Sequence, residues 1–191
     1  SKIERITNET NVKLVLDLDG VGSGKIKTDI PFFDHMLEQL TFHSSVDLEL
    51  NAQGDIDIDF HHSVEDCGIC LGKAFVEAIG DKKGINRYGF FLLPMDDALI
   101  RVALDFSGRS FLSWKVNFPT NRVGNFDLEL VREFFNAFST NSGATLHVEK
   151  LDGFNSHHIS EAIFKTMGKS IKMAITKNKG MEIIPSTKGI L

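Results

Sequence analysis

The chain is poor in cysteine: Cys67 and Cys70 are the two thiols among 191 residues. No second pair accompanies them, so neither a disulfide framework nor a four-thiolate zinc site is on offer, and nothing around them resembles a thioredoxin-type redox segment. Three apart in a helical stretch, they read as two small buried apolar residues. Long hydrophobic runs are also missing; none approaches the ~20 residues that span a bilayer. No basic segment followed by an apolar run opens the chain, so no secretory signal is visible and a cytoplasmic protein is expected. Basic excess is absent too. Lys and Arg number 21 against 26 Asp and Glu, for a net charge of -5, which argues against a nucleic-acid partner. The glycine-rich run Gly20-Val21-Gly22-Ser23-Gly24 lacks the GK[ST] ending of a nucleotide-phosphate loop.

What is present is a repeat. His61-His62-Ser63-Val64-Glu65 recurs as His157-His158-Ile159-Ser160-Glu161, 96 residues later, and Gly72-Lys73 matches Gly168-Lys169 at the same offset. Upstream the offset is 98, where Phe33-Asp34-His35-Met36-Leu37 lies over Val131-Arg132-Glu133-Phe134-Phe135. Nearer the start it is 88, with Leu16-Asp17-Leu18-Asp19-Gly20 over Leu104-Asp105-Phe106-Ser107-Gly108. Loop insertions produce such small shifts between copies.

Each half has the same order of strands, helix, strand, helix. Residues 12–18 and 100–106 alternate apolar and polar, as half-buried strands do. Residues 32–42 and 128–138 carry apolar residues at helical spacing. Short strands follow at 46–52 and 145–151, then helices at 63–79 and 156–176, each opening with a His-His pair. The pattern predicts an α+β fold, with helices on one face of a sheet whose other face is wetted or covered by a partner. The repeats divide near 84–93, where Gly84, Gly89 and Pro94 cluster, giving a first repeat at 1–88 and a second at 89–191 within one compact domain.

The repeated motif has the chemistry of a metal site. His61 and Glu65 are four apart, so on a helix they share a face and can grip one cation. His62 points about 100° away and suits another ion or another sector. Two copies supply two forks and two divergent histidines, enough for two metals. His35, Gln39 and His43 form one polar stripe on an otherwise apolar helix. The repeat sets Glu133 against His35. Asp34 and Asp66 are candidate acceptors that fix ring tautomers from behind the ligands. His147 matches Glu49 on a strand and reads as an ordinary strand residue. Imidazole and carboxylate donors without thiolate fit manganese, iron, zinc or nickel. Arg87, Arg109, Lys165 and Lys188, near turns or near the metal motifs, are candidate phosphate ligands.

These motifs, with the opening Arg5-Ile6-Thr7-Asn8-Glu9-Thr10, the segment Asp105-Phe106-Ser107-Gly108-Arg109 and the closing Pro185-Ser186-Thr187-Lys188-Gly189, resemble the imidazoleglycerol-phosphate dehydratase family. The resemblance covers essentially the whole chain. It implies a duplicated α+β unit, ribosomal S5 domain 2-like, with helices packed between two sheets. It implies manganese-dependent dehydration of imidazoleglycerol phosphate to imidazoleacetol phosphate in histidine biosynthesis, and assembly into a 24-subunit shell with metal sites at subunit contacts. Two manganese ions per active site would be held by His35, His61, His62, Glu65, Glu133, His157, His158 and Glu161; position 133 holds His in several relatives. Catalytic parts would fall to Glu9, His35, Glu65 and Glu161. Substrate binding would use Glu9, Gln39, His43, Arg87, Arg109, Lys165, Ser186 and Lys188.

The implied chemistry explains two divergent forks. Metals on both ring nitrogens make the ring an imidazolate, whose electrons can expel the hydroxyl to leave a diazafulvene-like intermediate. Some relatives carry a fused phosphatase; here the dehydratase alone is expected. Two other readings compete: a di-metal hydrolase acting on a phosphate ester or amide, and a non-catalytic shell joined by metals.

Overall fold

The computed structural model describes residues 1–178, 180 and 183–190. Its first half runs β1 (Lys2–Ile6), β2 (Thr10–Asp17), β3 (Gly24–Lys27), α1 (Pro31–Ser44), β4 (Asp47–Gly54) and α2 (His61–Ile79). The second runs β5 (Tyr88–Met95), β6 (Ala98–Asp105), β7 (Phe111–Lys115), a small hairpin of β8 (Arg122–Val123) and β9 (Phe126–Asp127), α3 (Glu129–Ser142), β10 (Thr145–Asp152) and α4 (Ser156–Ile175). The first sheet has the order β1-β2-β4-β3 and the second β5-β6-β10-β7. In each, the outer pairs β1–β2 and β5–β6 and the inner pairs β2–β4 and β6–β10 are antiparallel, while β3 and β7 join parallel. The duplication read from the sequence is therefore a duplication of topology.

The alternation of apolar residues dictates which sheet face is buried. On β2, Val12, Leu14 and Leu16 are buried while Lys13 and Val15 face out; on β6, Ile100, Val102 and Leu104 are buried. The inward faces meet a layer of helices. α1 starts on Pro31, whose missing N–H costs nothing in the first turn, and buries Phe33, Met36, Leu37 and Leu40. α2 packs against α3 and against β2, and α1 packs against α4, which also covers β5 and β6. Helices thus lie between two sheets, and each helix pair joins one half to the other.

Two matched glycines set that helix spacing. A Cβ at Gly72 would lie 2.8 Å from the carbonyl oxygen of Phe138, and one at Gly168 would lie 2.7 Å from that of Leu40. Both helix pairs touch at backbone distance, and only glycine fits. Beside these crossings the core is aromatic: Phe33 stands edge-on to Phe134 at 5.4 Å, and Phe75 to Phe138 at 5.6 Å.

The stretch that looks like a break between repeats contains a strand. Gly89 and Pro94 both lie in β5, an edge strand, where a proline costs no ladder bond on its free side. Gly89 is needed because a Cβ there would come 1.9 Å from the carbonyl oxygen of Ser170 on α4. Cys67 and Cys70 are free, buried thiols, as expected, and burial pushes Cys70 up to about 11. Among the described residues, no helix is long and apolar enough to cross a membrane.

Candidate metal centre and anion cradle

Both His-His pairs sit at helix starts, and the same local device places them. Asn155 caps α4 by accepting from the backbone N–H groups of His157 and His158. Its repeat partner Asp59 accepts from the N–H of His61 at 2.7 Å. The rings diverge as the helical period requires: the planes of His61 and His62 cross at 88°, those of His157 and His158 at 86°. Phe126 fills the floor between the two motifs. Its ring lies 5.2 Å from Phe32, which touches His157 edge-on at 5.4 Å, and 6.4 Å from Phe60, the residue before His61.

The second motif closes into a cluster. Glu161 Oε2 lies 3.1 Å from His157 Nε2, one helical turn back, and 3.4 Å from His35 Nε2 on α1. One donor atom from each of these three residues lies within 4.8 Å of the other two, close enough to share a cation. Glu161 is buried, and its other oxygen accepts from Lys165 at 2.8 Å. Burial alone would push this carboxyl up, but Lys165 and His35 outweigh it and hold it below its ordinary value. His43, two turns beyond His35, is half-buried; burial first, then Lys169 and Lys165, push its pKa down, and its Nδ1 is buried without a hydrogen-bond partner. Gln39 lies half-buried between them on α1.

The first motif is arranged differently. Among the described residues, His61, Glu65 and Glu133 do not close into a second group of three. Glu133 accepts from Arg132 at 2.9 Å, on a cavity wall beside Trp114 and Phe118. His62 Nδ1 lies 3.0 Å from Asp55 and 3.8 Å from Glu9 Oε2, and both carboxylates raise its pKa, Asp55 most.

The acceptors behind the histidines are not the ones the sequence suggested. Asp34 accepts from the N–H and hydroxyl of Thr28, ahead of α1. Asp66 accepts from Arg5 Nε at 2.8 Å and from the Thr10 hydroxyl, pinning β1 and β2 to α2. Neither meets an imidazole, because a residue adjacent to a ligand on a helix points about 100° away. Asp55 and Asp97 instead face the second histidine of each pair. Asp97 Oδ1 accepts from His158 Nδ1 at 2.6 Å, and its Oδ2 accepts from the N–H groups of Phe154 and Asn155 at 2.6 and 2.8 Å. These bonds, His158 first, hold the Asp97 carboxyl far below the usual carboxylate range. Both residues are in turns, where no periodicity points to them; the sequence signal was their acidity next to tight turns.

The phosphate candidates gather elsewhere. A cavity of about 580 Å³ is lined by Arg87, Tyr88, Arg109 and residues 183–188, including Ser186 and Lys188. Arg87 is its buried anchor, with Nε and Nη2 on the two oxygens of Asp105 at 2.6 and 3.0 Å and Nη1 on the carbonyl of Pro185 at 3.0 Å. Arg109 projects exposed at the rim. Lys165 is absent from this cradle; it stands at the Glu161 cluster.

A duplicated α+β fold carrying an imidazole–carboxylate cluster that could hold a cation and a separate cationic cradle fits an enzyme for a small phosphorylated substrate. The sequence model of the imidazoleglycerol-phosphate dehydratase family matches residues 28–171. The chain is 54% identical over 192 residues to imidazoleglycerol-phosphate dehydratase of Cereibacter sphaeroides (strain ATCC 17029 / ATH 2.4.9), covering 100% of this chain and 98% of that one. It is 53% identical over 189 residues to the enzyme of Moorella thermoacetica, with 99% and 96% covered. The solved structure of the Staphylococcus aureus dehydratase superposes with a TM-score of 0.83 at 40% identity, over 93% of this chain and 98% of that one. That from Pyrococcus furiosus, in complex with (S)-C348, gives 0.86 at 34%, over 99% and 100%. The chain belongs to the imidazoleglycerol-phosphate dehydratase family. It is a hydro-lyase of histidine biosynthesis acting on a phosphorylated imidazole.

Proposed function

We propose that the chain converts D-erythro-imidazoleglycerol phosphate to imidazoleacetol phosphate at a site holding two manganese ions. The observation that carries this reading is the meeting of His35, His157 and Glu161, three hard or borderline donors with no thiolate nearby, a set that suits manganese. His61, His62, Glu65, Glu133 and His158 complete the proposed ligand set. Within one chain the first motif stays open, which suits a site finished by a neighbouring subunit. Cations held there would supply Lewis acidity that lets the substrate ring give up its N–H proton, and the resulting imidazolate is a better electron source than neutral imidazole.

The chain's own residues supply the rest. Glu9, in the β1–β2 turn with its carboxylate 3.8 Å from His62 Nδ1, would take the proton from the side-chain carbon beside the one that loses its hydroxyl. Gln39 and His43 would orient the substrate from α1. Arg109, Ser186 and Lys188 would hold the phosphate, with Arg87 locked on Asp105 to fix the cradle. Lys165, hydrogen-bonded to Glu161, would carry its charge to a phosphate bound across a subunit boundary.

Assembly into a 24-subunit shell in the cytoplasm is part of the same reading. Its support is exposed apolar surface where a single chain has no use for it: Tyr88, Phe90 and Leu92 alternate outward on β5, and Phe42 and Phe154 lie bare near the metal motifs. The test is metal content by mass spectrometry beside an assay for the ketone product with phosphate retained. A ketone formed only by manganese-loaded protein is expected; release of inorganic phosphate, or no turnover with metal bound, would overturn it.

A further inference from the structure

The repeats do not hold their second histidines with matching residues. At the repeat offset of 88, Asp97 stands where Glu9 stands, each in the turn between the first two strands of its half. In the second half Asp97 bonds His158 Nδ1 at 2.6 Å. In the first half Glu9 is 3.8 Å from His62 Nδ1, and Asp55 has taken its place at 3.0 Å. Asp55 is itself tied to the same turn, since its N–H donates to the backbone carbonyl of Glu9 at 3.1 Å. Its equivalent in the second half is not at His158.

We infer that Asp55 and Asp97 are positioning residues that keep the proton of His62 and His158 on Nδ1, so that Nε2 of each is left with a lone pair for a cation; Asp96 Oδ2, 3.7 Å from His158 Nε2, is too distant to hold a proton there. The inference rests on the metal-site reading above. A carboxylate only accepts, so the imidazole nitrogen facing it must carry hydrogen, and the other nitrogen is then free to ligate. Both oxygens of Asp97 are committed: one to His158, the other to the N–H groups of Phe154 and Asn155. It can therefore turn neither away nor around, and it fixes ring and helix start as one unit. In the first half the substitution by Asp55 has a second consequence. Glu9 is relieved of the task its counterpart performs, and its half-exposed carboxylate is free for proton transfer.

Asp97→Asn is the discriminating variant. The amide oxygen can keep the two backbone bonds, while its NH2 donates to His158 Nδ1 and forces the proton to Nε2, blocking ligation. Manganese retained in equilibrium dialysis against graded Mn2+ is expected to require about 10- to 100-fold more free metal in D97N, and likewise in D55N. Glu9→Gln is expected to leave the dialysis curve unchanged. In a His158→Ala background, D97N should add nothing further, a result that a purely structural role for Asp97 would not give. Wild-type protein that binds manganese with D97N and D55N equal to it overturns the inference alone. So does a D97N penalty that persists undiminished in H158A. Wild-type protein that takes up no manganese overturns the metal site together with it.

Discussion

His35 Nε2 lies 3.4 Å from Glu161 Oε2, across 126 positions of chain and across the boundary between the two repeats. The contact exists because Gly168 lets α4 approach α1 to backbone distance, setting one half's histidine over the other half's carboxylate. Neither repeat alone would build this cluster.

Glu161→Gln keeps the shape of that side chain but removes the charge that His35, His157 and Lys165 all address. A neutral amide is a poor ligand, and it leaves the Lys165 ammonium without its ion pair. Manganese affinity should fall by more than about 100-fold, beyond the usual cost of losing a residue behind the ligands. Mass-spectrometric metal content after dialysis checks this; full occupancy in the variant would remove Glu161 from the ligand set.

Arg109→Ala should act on the substrate and leave the fold alone. The side chain is exposed on the cradle rim, whereas Arg87 is buried on Asp105. Losing a hydrogen bond to a charged group costs about 1.5–3 kcal/mol, so KM should rise roughly 10- to 100-fold with a far smaller change in kcat. The melting temperature should stay put. An unchanged KM would place the phosphate elsewhere.

Gly72→Ala tests the helix spacing. Alanine favours a helix over glycine by about 1 kcal/mol, but its Cβ would press on the Phe138 carbonyl at 2.8 Å, and overpacking costs about 1–3 kcal/mol. Crowding should win, lowering stability by up to about 2 kcal/mol in urea unfolding. A more stable variant would mean that the helices can part freely.

Asp47 gives a pH signature. Its Oδ1 accepts from the N–H groups of Ser23, Val21 and Gly22 at 2.8, 2.9 and 3.0 Å, and these bonds, Ser23 first, depress its pKa. A depressed carboxyl stabilises the fold above its unfolded pKa, and that contribution is lost as pH falls through the folded value. Asp47→Asn should therefore melt below wild type at neutral pH, with the gap closing as pH falls below the ordinary aspartate value of about 4. A gap independent of pH would assign the effect to shape and not to charge.

Much of this was legible before any coordinates. Period-2 and period-3.6 patterns placed eight of the elements, because a half-buried strand or helix must put apolar residues on one face. The four strands at the edges of the two larger sheets, β1, β3, β5 and β7, escaped, since an edge carries little burial to pattern it. The His-His-x-x-Glu motifs showed themselves through repetition. The acceptors behind them did not: adjacency in sequence suggested Asp34 and Asp66, whereas contact in space chose Asp55 and Asp97 from turns.

The amino-acid order by itself fixed the twofold design, the His-His-x-x-Glu forks, the divergence of their rings and the glycines that match between halves, all of which follow from local periodicity. Tertiary structure decided which fork closed. Helix pairs that cross between halves brought His35 to Glu161 and left Glu133 with Arg132, a choice made by packing between segments far apart in the chain.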